Sequence, residues 1–188
     1  MSAHEYTVGL AAREHISWLA GIERAAAELF PADLLRPENR GSTVPHEQLE
    51  AAQAEGRLWT ALANGQRPVG FALAVREAGS AFLQEVDVHP DHQQKGLGRQ
   101  LIRHVMRWAQ AQELACVTLT TFEHVAWNAP FYNRLGFRQL AAHELSNELA
   151  EHLQAEHRQG LQERVAMQLD VCPAQPNNSP QSTREDLR

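Results

Sequence analysis

Residues 86–101, VDVHPDHQQKGLGRQL, change character twice. Val86, Asp87 and Val88 alternate as a half-buried strand does, His89-Pro90 ends the alternation, and beyond Gly96 and Gly98 the chain turns amphipathic. Between Arg99 and Leu114 the apolar Leu101, Val105, Trp108 and Ala109 share one helical face, while Arg99, Arg103, Arg107 and Gln110 stay polar. A strand must therefore hand over to a helix across a loop with two glycines. Such a loop lets backbone approach a ligand closely, and the first helical turn offers unpaired N–H groups at the positive end of its dipole. Phosphate is the ligand that suits this junction. Two glycines also serve to make a plain turn. Two familiar phosphate loops are excluded: a dinucleotide fingerprint needs a third Gly where Leu101 stands, and a Walker A loop needs Gly-Lys-Ser/Thr where Gly98-Arg99-Gln100 stands.

The flanking pattern is that of a mixed α/β chain. A strand is expected over 6–12, and a helix over 14–30 with Ile16, Leu19, Ile22, Ala26 and Phe30 at helical spacing. Pro31 and Pro37 then leave 31–43 as a loop or short turns, and 45–56 reads as a helix with Pro at its start and Gly at its end. Strands over 57–64 and 67–79 flank Asn64-Gly65, a strong hairpin signal. A turn at Gly79-Ser80 leads into a strand over 81–90, so three antiparallel strands follow one another. Past the amphipathic helix come a strand (115–122), a short helix (128–136), a strand (137–145), a helix opening on Ser146 (146–160) and a last strand (163–171).

Composition narrows the classes. With 188 residues, 43% hydrophobic and 21% charged, the chain suffices for one core, and residues 1–172 are read as a single domain. Residues 173–188 are rich in Pro, Asn and Ser and are read as a flexible tail. A net charge of -6 argues against a nucleic-acid partner. Cys116 and Cys172 form no C-x-x-C pair, so neither a disulfide framework nor a zinc ribbon is supported. No apolar run reaches the roughly 18 residues needed to cross a bilayer, and MSAHEYTVGLAAREH has no basic segment leading into an apolar one. No membrane partner is expected, and a cytoplasmic location is.

Gln93-Gln94-Lys95-Gly96-Leu97-Gly98 resembles the Q/R-x-x-G-x-G/A loop of the GNAT N-acetyltransferase superfamily, with the preceding strand and following helix in the order of that family's motif A. FYNRLGF (131–137) is similar to its motif B, and TTFEHVAWNAPFYNRLGF is similar to a bacterial subgroup of unassigned substrate. The resemblance implies an α/β (α+β) fold: a central mixed, mostly antiparallel sheet of about seven strands, flanked by helices and splayed between the fourth and fifth. It implies acetyl-CoA as co-substrate and no metal. The pyrophosphate would rest on the N–H groups of Gln94 to Arg99, following Gln93, with Lys95 and Arg99 adding charge. The pantetheine would pair with backbone near Val86 and Val88, and Leu97, Asn128 and Phe131 would line the coenzyme.

For chemistry the resemblance points to Tyr132, as hydrogen-bond donor or acid toward the departing thiolate; packing alone is the other reading of such a residue. A free Tyr is a weaker acid than a thiol, so complete proton transfer is uphill by roughly 2 kcal/mol and hydrogen-bond donation fits better. Glu85 is the first candidate for general base, an acidic residue from 31–50 being the other source. Strict alternation puts Gln84, Val86 and Val88 on one face and Glu85 and Asp87 on the other, unless a bulge intervenes. The family often carries Asn seven residues before the Tyr, where Val125 stands here. Asn128 reads as a helix N-cap with Pro130 in the first turn, and Trp127 either walls a pocket or packs. His89, His92 and His124 lack paired ligand spacing. The expected activity is acetyl transfer from acetyl-CoA to a primary amine by direct attack; the alternative is a coenzyme-binding module without chemistry. The acceptor, a small molecule or peptide amine, and assembly into a homodimer both stay open.

Overall fold

The computed structural model describes residues 6–35 and 39–171; the expected tail at 173–188 lies outside them. Within these residues seven strands form one sheet: β1 (Tyr6–Leu10), β2 (Leu58–Ala63), β3 (Arg67–Glu77), β4 (Ser80–Val88), β5 (Cys116–Phe122), β6 (Arg138–Gln139) and β7 (Arg164–Asp170). Their order across the sheet is β1-β2-β3-β4-β5-β7-β6, and every neighbouring pair is antiparallel except β4 with β5. Five helices flank it: α1 (Ile16–Ala27), α2 (His46–Ala54), α3 (Leu97–Ala111), α4 (Ala129–Asn133) and α5 (Asn147–Arg158). The expected sheet of about seven strands, mixed and mostly antiparallel, is the one observed.

Both sheet faces carry a core. On one, α3 lays Leu97, Leu101, Ile102 and Val105 against Ala72, Leu83, Val117 and Leu119. On the other, Leu19 and Ile22 of α1 and Leu49 of α2 meet Leu58, Phe71 and Leu73. A smaller cluster under α5 joins Phe82, Leu140, Leu149 and Ala166. Burial of each large apolar side chain stabilises the fold by about 1.5–3 kcal/mol, so the central strands are apolar on both sides where helices cover both.

The feature that makes room for a site is the short contact between β4 and β5. Only Ser80, Ala81 and Phe82 pair with Cys116, Val117 and Thr118, after which β4 runs on to Val88 and β5 to Phe122. Each stays paired on its outer side, with β3 and with β7. The inner edges therefore part, as expected between the fourth and fifth strands. A β-bulge accompanies the parting. Leu73 faces Glu85 and Ala74 faces Leu83, so Gln84 is the extra residue in β4. Leu83 shares the α3 face with Ala74, and beyond the bulge that face passes to Val86 and Val88, while Glu85 and Asp87 lie opposite Leu73 and Phe71 on the α1/α2 face. Gln84 itself accepts a bond from the Gln48 amide of α2 (2.7 Å), so it does not side with Val86 and Val88 as alternation implied.

Other differences have local causes. The helix expected over 14–30 begins as a 3-10 turn at Arg13–His15 and ends at Ala27, where the Arg40 guanidinium donates to the carbonyls of Glu28 (3.2 Å), Phe30 (2.5 Å) and Leu35 (3.2 Å) and holds the chain in turns. The strand expected over 137–145 keeps only Arg138–Gln139, because Glu144 accepts from Arg138 (2.7 Å) and from the Ala141 N–H (2.8 Å) and folds the segment into a 3-10 turn. Helix α3 begins at Leu97, two residues earlier than its amphipathic pattern.

Gly70 of β3 sits where β4 approaches closely: a Cβ there would lie 2.8 Å from the Asp87 carbonyl oxygen and 3.1 Å from Val88 Cγ2. Gly70→Ala should destabilise by about 1–3 kcal/mol, through overpacking that the backbone cannot relieve. Gly21→Ala, at an exposed α1 position where a Cβ meets nothing within 4 Å, should stabilise by up to about 1 kcal/mol. Urea unfolding of the two variants checks both signs; a neutral Gly70→Ala would mean the strands can slide apart freely.

Candidate active site

The loop between β4 and α3 follows from its backbone. After Val88 a 3-10 turn (Pro90–His92) reverses the chain, with the Gln93 side-chain amide donating to the Val88 carbonyl (3.1 Å). Gly96 is left-handed (φ 77°) at the N-cap of α3, and a Cβ there would find no atom within 4 Å. The first backbone bond into the helix runs from Gln100 to the Gly96 carbonyl, so the N–H groups of Leu97, Gly98 and Arg99 point out of the helix end. Phe131 closes the side of this cradle, 3.7 Å from where a Gly98 Cβ would be. Open space, converging N–H groups and a helix dipole fit a phosphate group, and Arg99 stands exposed at the same end. Lys95 is directed elsewhere in part: its Nζ donates to the Tyr6 hydroxyl of β1 (2.5 Å), and that hydroxyl also bonds His92 Nδ1 (3.0 Å).

The loop opens onto the gap between β4 and β5. The His89 N–H bonds the Val69 carbonyl (2.8 Å), and in an antiparallel ladder the bonding direction alternates, so Val86 and Val88 turn their N–H and C=O groups toward the gap. The Gln93 bond to the Val88 carbonyl agrees with that direction.

Tyr132 and Glu85 lie near enough for the charge of the second to act on the first. Tyr132, on α4, is 8% exposed, with Phe131 and Phe137 edge-on at 5.4 and 5.5 Å. Burial raises its pKa above the usual phenol range, and the charges of Glu85 and Asp87 raise it further, while Arg164 lowers it. From the α1/α2 face, Glu85 is raised to about 8, first by burial and then by the charge of Glu23, with Arg164 acting against them. Asp87 is raised well above its ordinary value by burial and by Glu85 and Glu23. Glu23 is raised to about 7 by burial, although both its oxygens accept from the Val44 N–H (3.2 and 3.0 Å). Glu85 and Glu23 thus keep their protons to higher pH than ordinary carboxyls do, and Asp87 is shifted in the same direction.

Asn128 opens α4 through its backbone, its carbonyl accepting from Phe131 (2.8 Å) and Tyr132 (3.0 Å), but its side chain makes no cap. The amide instead donates to Thr121 Oγ1 of β5 (2.8 Å), leaving a buried Oδ1 with no partner among the described residues. Val125 is buried and apolar. Trp127 is 50% exposed and stands edge-on to Phe30 at 5.9 Å, with Phe30 5.3 Å from Phe122. Sequence reasoning missed Glu23, Arg164 and this aromatic group. Glu23 carried a signal: it occupies the 16-19-23-26-30 series otherwise filled by Ile, Leu, Ala and Phe. Arg164 had none, since its partners come from β5 and α5: Glu156 takes its Nε (3.0 Å) and Nη2 (2.7 Å), and Thr120 its Nη2 (3.3 Å).

Comparison with known proteins bears on this geometry. Residues 23–137 match the model of the acetyltransferase (GNAT) family. A stretch of 70 residues is 36% identical to the uncharacterized N-acetyltransferase ycf52 of Pyropia yezoensis, covering 37% of this chain and 38% of that relative's length. The fold is similar to the ribosomal-protein-S18-alanine N-acetyltransferase of Escherichia coli, with TM-score 0.62 and 20% identity over 92% of this chain and 97% of that one. It is similar also to Rv2747 of Mycobacterium tuberculosis, solved in complex with CoA and NLQ, with TM-score 0.64 and 15% identity over 88% and 99% of the two chains.

The carboxyl cluster has a consequence for stability. Folding lifts Glu85 and Glu23 from 4.5 to about 8 and about 7, so between these values the folded chain holds protons that the unfolded chain has released. Stability is therefore full below about pH 4.5 from this source and is lost as the pH climbs through 7 and 8. Thermal melts should show the midpoint falling between about pH 5 and pH 8, with Glu85→Gln flattening the fall and exceeding wild type at the alkaline end. Equal slopes in the two proteins would remove Glu85 from the cluster.

Proposed function

Because the chain belongs to the acetyltransferase (GNAT) family, we propose that it transfers an acetyl group from acetyl-CoA to a primary amine by direct attack in a ternary complex. The observation that carries this reading is the gap between β4 and β5, which opens onto the N-terminus of α3 and has Tyr132 and Glu85 on its two sides.

Acetyl-CoA supplies an acyl carbon activated as a thioester; the rest is the work of the chain. The N–H groups of Leu97, Gly98 and Arg99 hold the pyrophosphate, with the exposed Arg99 adding charge. The outward backbone groups of Val86 and Val88 bind pantetheine as an added strand would, and an N–H near Val88 polarises the thioester carbonyl. Asn128 Oδ1, aligned by Thr121, accepts an amide N–H of the pantetheine arm; Phe131 packs beside it. In its ionised form, which its raised pKa places on the alkaline side of neutrality, Glu85 takes one proton from the acceptor's ammonium, which at neutral pH costs about 4–5 kcal/mol to present as a free amine. Its raised pKa brings it toward that of the amine, which favours the transfer. The amine nitrogen bonds the acyl carbon as the carbon–sulfur bond breaks. Overall an ammonium and acetyl-CoA give an acetamide, CoA thiol and one proton. Tyr132 donates a hydrogen bond to the departing sulfur, and its raised pKa keeps the phenol protonated for that task.

Acetyl-CoA at about 100 times its Kd should add roughly 2.7 kcal/mol of stability, seen as a rise in Tm. Gly96→Val, strained by the left-handed backbone and projecting into the cradle, should abolish the rise. A normal rise in a folded Gly96→Val protein would mean that the loop is only a turn.

Tyr132→Phe keeps the ring packing and deletes the hydroxyl. Single-turnover acetylation should slow by a factor on the order of 100 while CoA affinity stays within about twofold. An unchanged chemical step would leave Tyr132 a packing residue, and absence of turnover in the wild type with any amine would favour a coenzyme-binding module.

A further inference from the structure

Beside the loop from β4 to α3 stands a polar group that the proposed mechanism leaves unused. The Lys95 ammonium donates to the Tyr6 hydroxyl (2.5 Å) and lies 4.9 Å from the centre of the Tyr6 ring. The same hydroxyl is 3.0 Å from His92 Nδ1, with the Tyr6 and His92 rings edge-on at 5.8 Å. Strand β1 thus meets the loop at two residues, both ahead of the Gly96 cap. Proton accounting fixes the direction of these bonds. An ammonium has only donors, so Lys95 takes a lone pair of the phenol oxygen, and the single phenol proton goes to Nδ1. His92 then carries its own proton on Nε2 and is neutral. A proton on Nδ1 would set two donors against one oxygen and strand the phenol O–H, since the hydroxyl has no third partner among the described residues. It would also crowd cations: Lys95, His89 and Arg67 of β3 act on His92 as positive charges, with Asp91 alone acting against them.

The group lies on the flank of α3 away from the phosphate cradle. Phe131 closes the cradle from the α4 side, whereas β1 is three strands from β4 in the direction opposite to β5. On the reading that the coenzyme's pyrophosphate rests on the N–H groups of Leu97 to Arg99, we propose that Tyr6 is a positioning residue for that loop: its hydroxyl clasps Lys95 and His92 while His92 is neutral, and acidification opens the clasp and weakens coenzyme binding. The effect runs through the order of residues 92–95. A binding-competent loop present in only part of the molecules lowers the apparent affinity in proportion. Burial, and after it the charges of Lys95 and His89, hold His92 below the ordinary histidine value, so the clasp is closed at neutral pH and opens on the acid side.

Calorimetric titration of coenzyme A into three proteins, at about pH 7.5 and about pH 5, tests this on either side of the ordinary histidine value. Tyr6→Phe keeps the ring beneath Lys95 and deletes the hydroxyl. Its Kd should exceed that of wild type about fivefold at the higher pH, roughly what one such hydrogen bond supplies, and match it within about twofold at the lower. His92→Asn offers the phenol an amide oxygen that does not titrate, so it should bind as wild type does at the higher pH and more tightly than wild type at the lower. The coenzyme's own phosphate, with a second pKa of about 6, titrates alike in all three, so the proteins are compared at each pH. A Tyr6→Phe Kd equal to that of wild type at both pH values would overturn the proposal, and so would one raised equally at both, which marks a contact without a proton link. A second reading needs no coenzyme. The hydroxyl's bond favours neutral His92, so Tyr6→Phe should raise the His92 pKa in an NMR titration of its ring; an unchanged His92 titration would remove the relay. If wild type binds no coenzyme A at either pH, the proposed function falls and this role of Tyr6 with it, whereas wild-type binding that is indifferent to Tyr6 removes the clasp alone.

Discussion

Backbone polar groups inside a sheet must find partners, and this chain withholds them along two strands at once. Beyond the Phe82–Thr118 pair, the facing edges of β4 and β5 have no ladder. Elsewhere such edges attract further strands or incur the cost of unmade bonds. Here the outer edges stay fully paired, so the sheet is rigid on either side of the opening. The extra residue Gln84 bends β4, Gly70 admits the bent strand without a side chain between, and the helical layers cover what the parting would expose. The opening is built into the covalent sequence.

The bulge that bends the strand also chooses which side chains look where. Unbroken alternation through Gln84 would put Leu83 and Glu85 on the same face, and an ionisable group would then enter the α3 core. With Gln84 taken up in the bulge, the valines face α3 and Glu85 and Asp87 lie on the α1/α2 face. Geometry and acidity thus have one origin: carboxyls crowded on a bent strand near a third from α1 keep their protons to higher pH than ordinary carboxyls do.

Legibility in the sequence followed the range of the forces. The glycine turn into α3, the Asn64-Gly65 hairpin and the α3 stripe rest on contacts within a few residues, and each was readable from its own segment. The phase of β4 past residue 83 was not, since a bulge is fixed by what the neighbouring strand can accommodate; alternation gave the right side to Glu85 and Asp87 and the wrong one to Gln84. The strand over 137–145 failed because Glu144 offered the backbone and Arg138 a nearer partner than β7. Asn128 was recognisable as a helix start, but its amide turned to Thr121 of β5 instead of its own helix. Arg164 became meaningful only when α5 brought Glu156 beside it. Glu23 was the exception that could have been found, as a charge in an apolar series.

The bond from Lys95 to Tyr6 joins the loop between β4 and α3 to β1, the strand at one margin of the sheet, and His92 of the same loop grips the same hydroxyl. A marginal strand is paired on one side and frays more readily than a central one. Fraying of β1 therefore releases two loop residues together, and an ordered loop in turn tightens β1. The order of the β4–α3 loop and the order of β1 are in this way one linked equilibrium, so a change at the margin of the sheet is felt at the mouth of the gap.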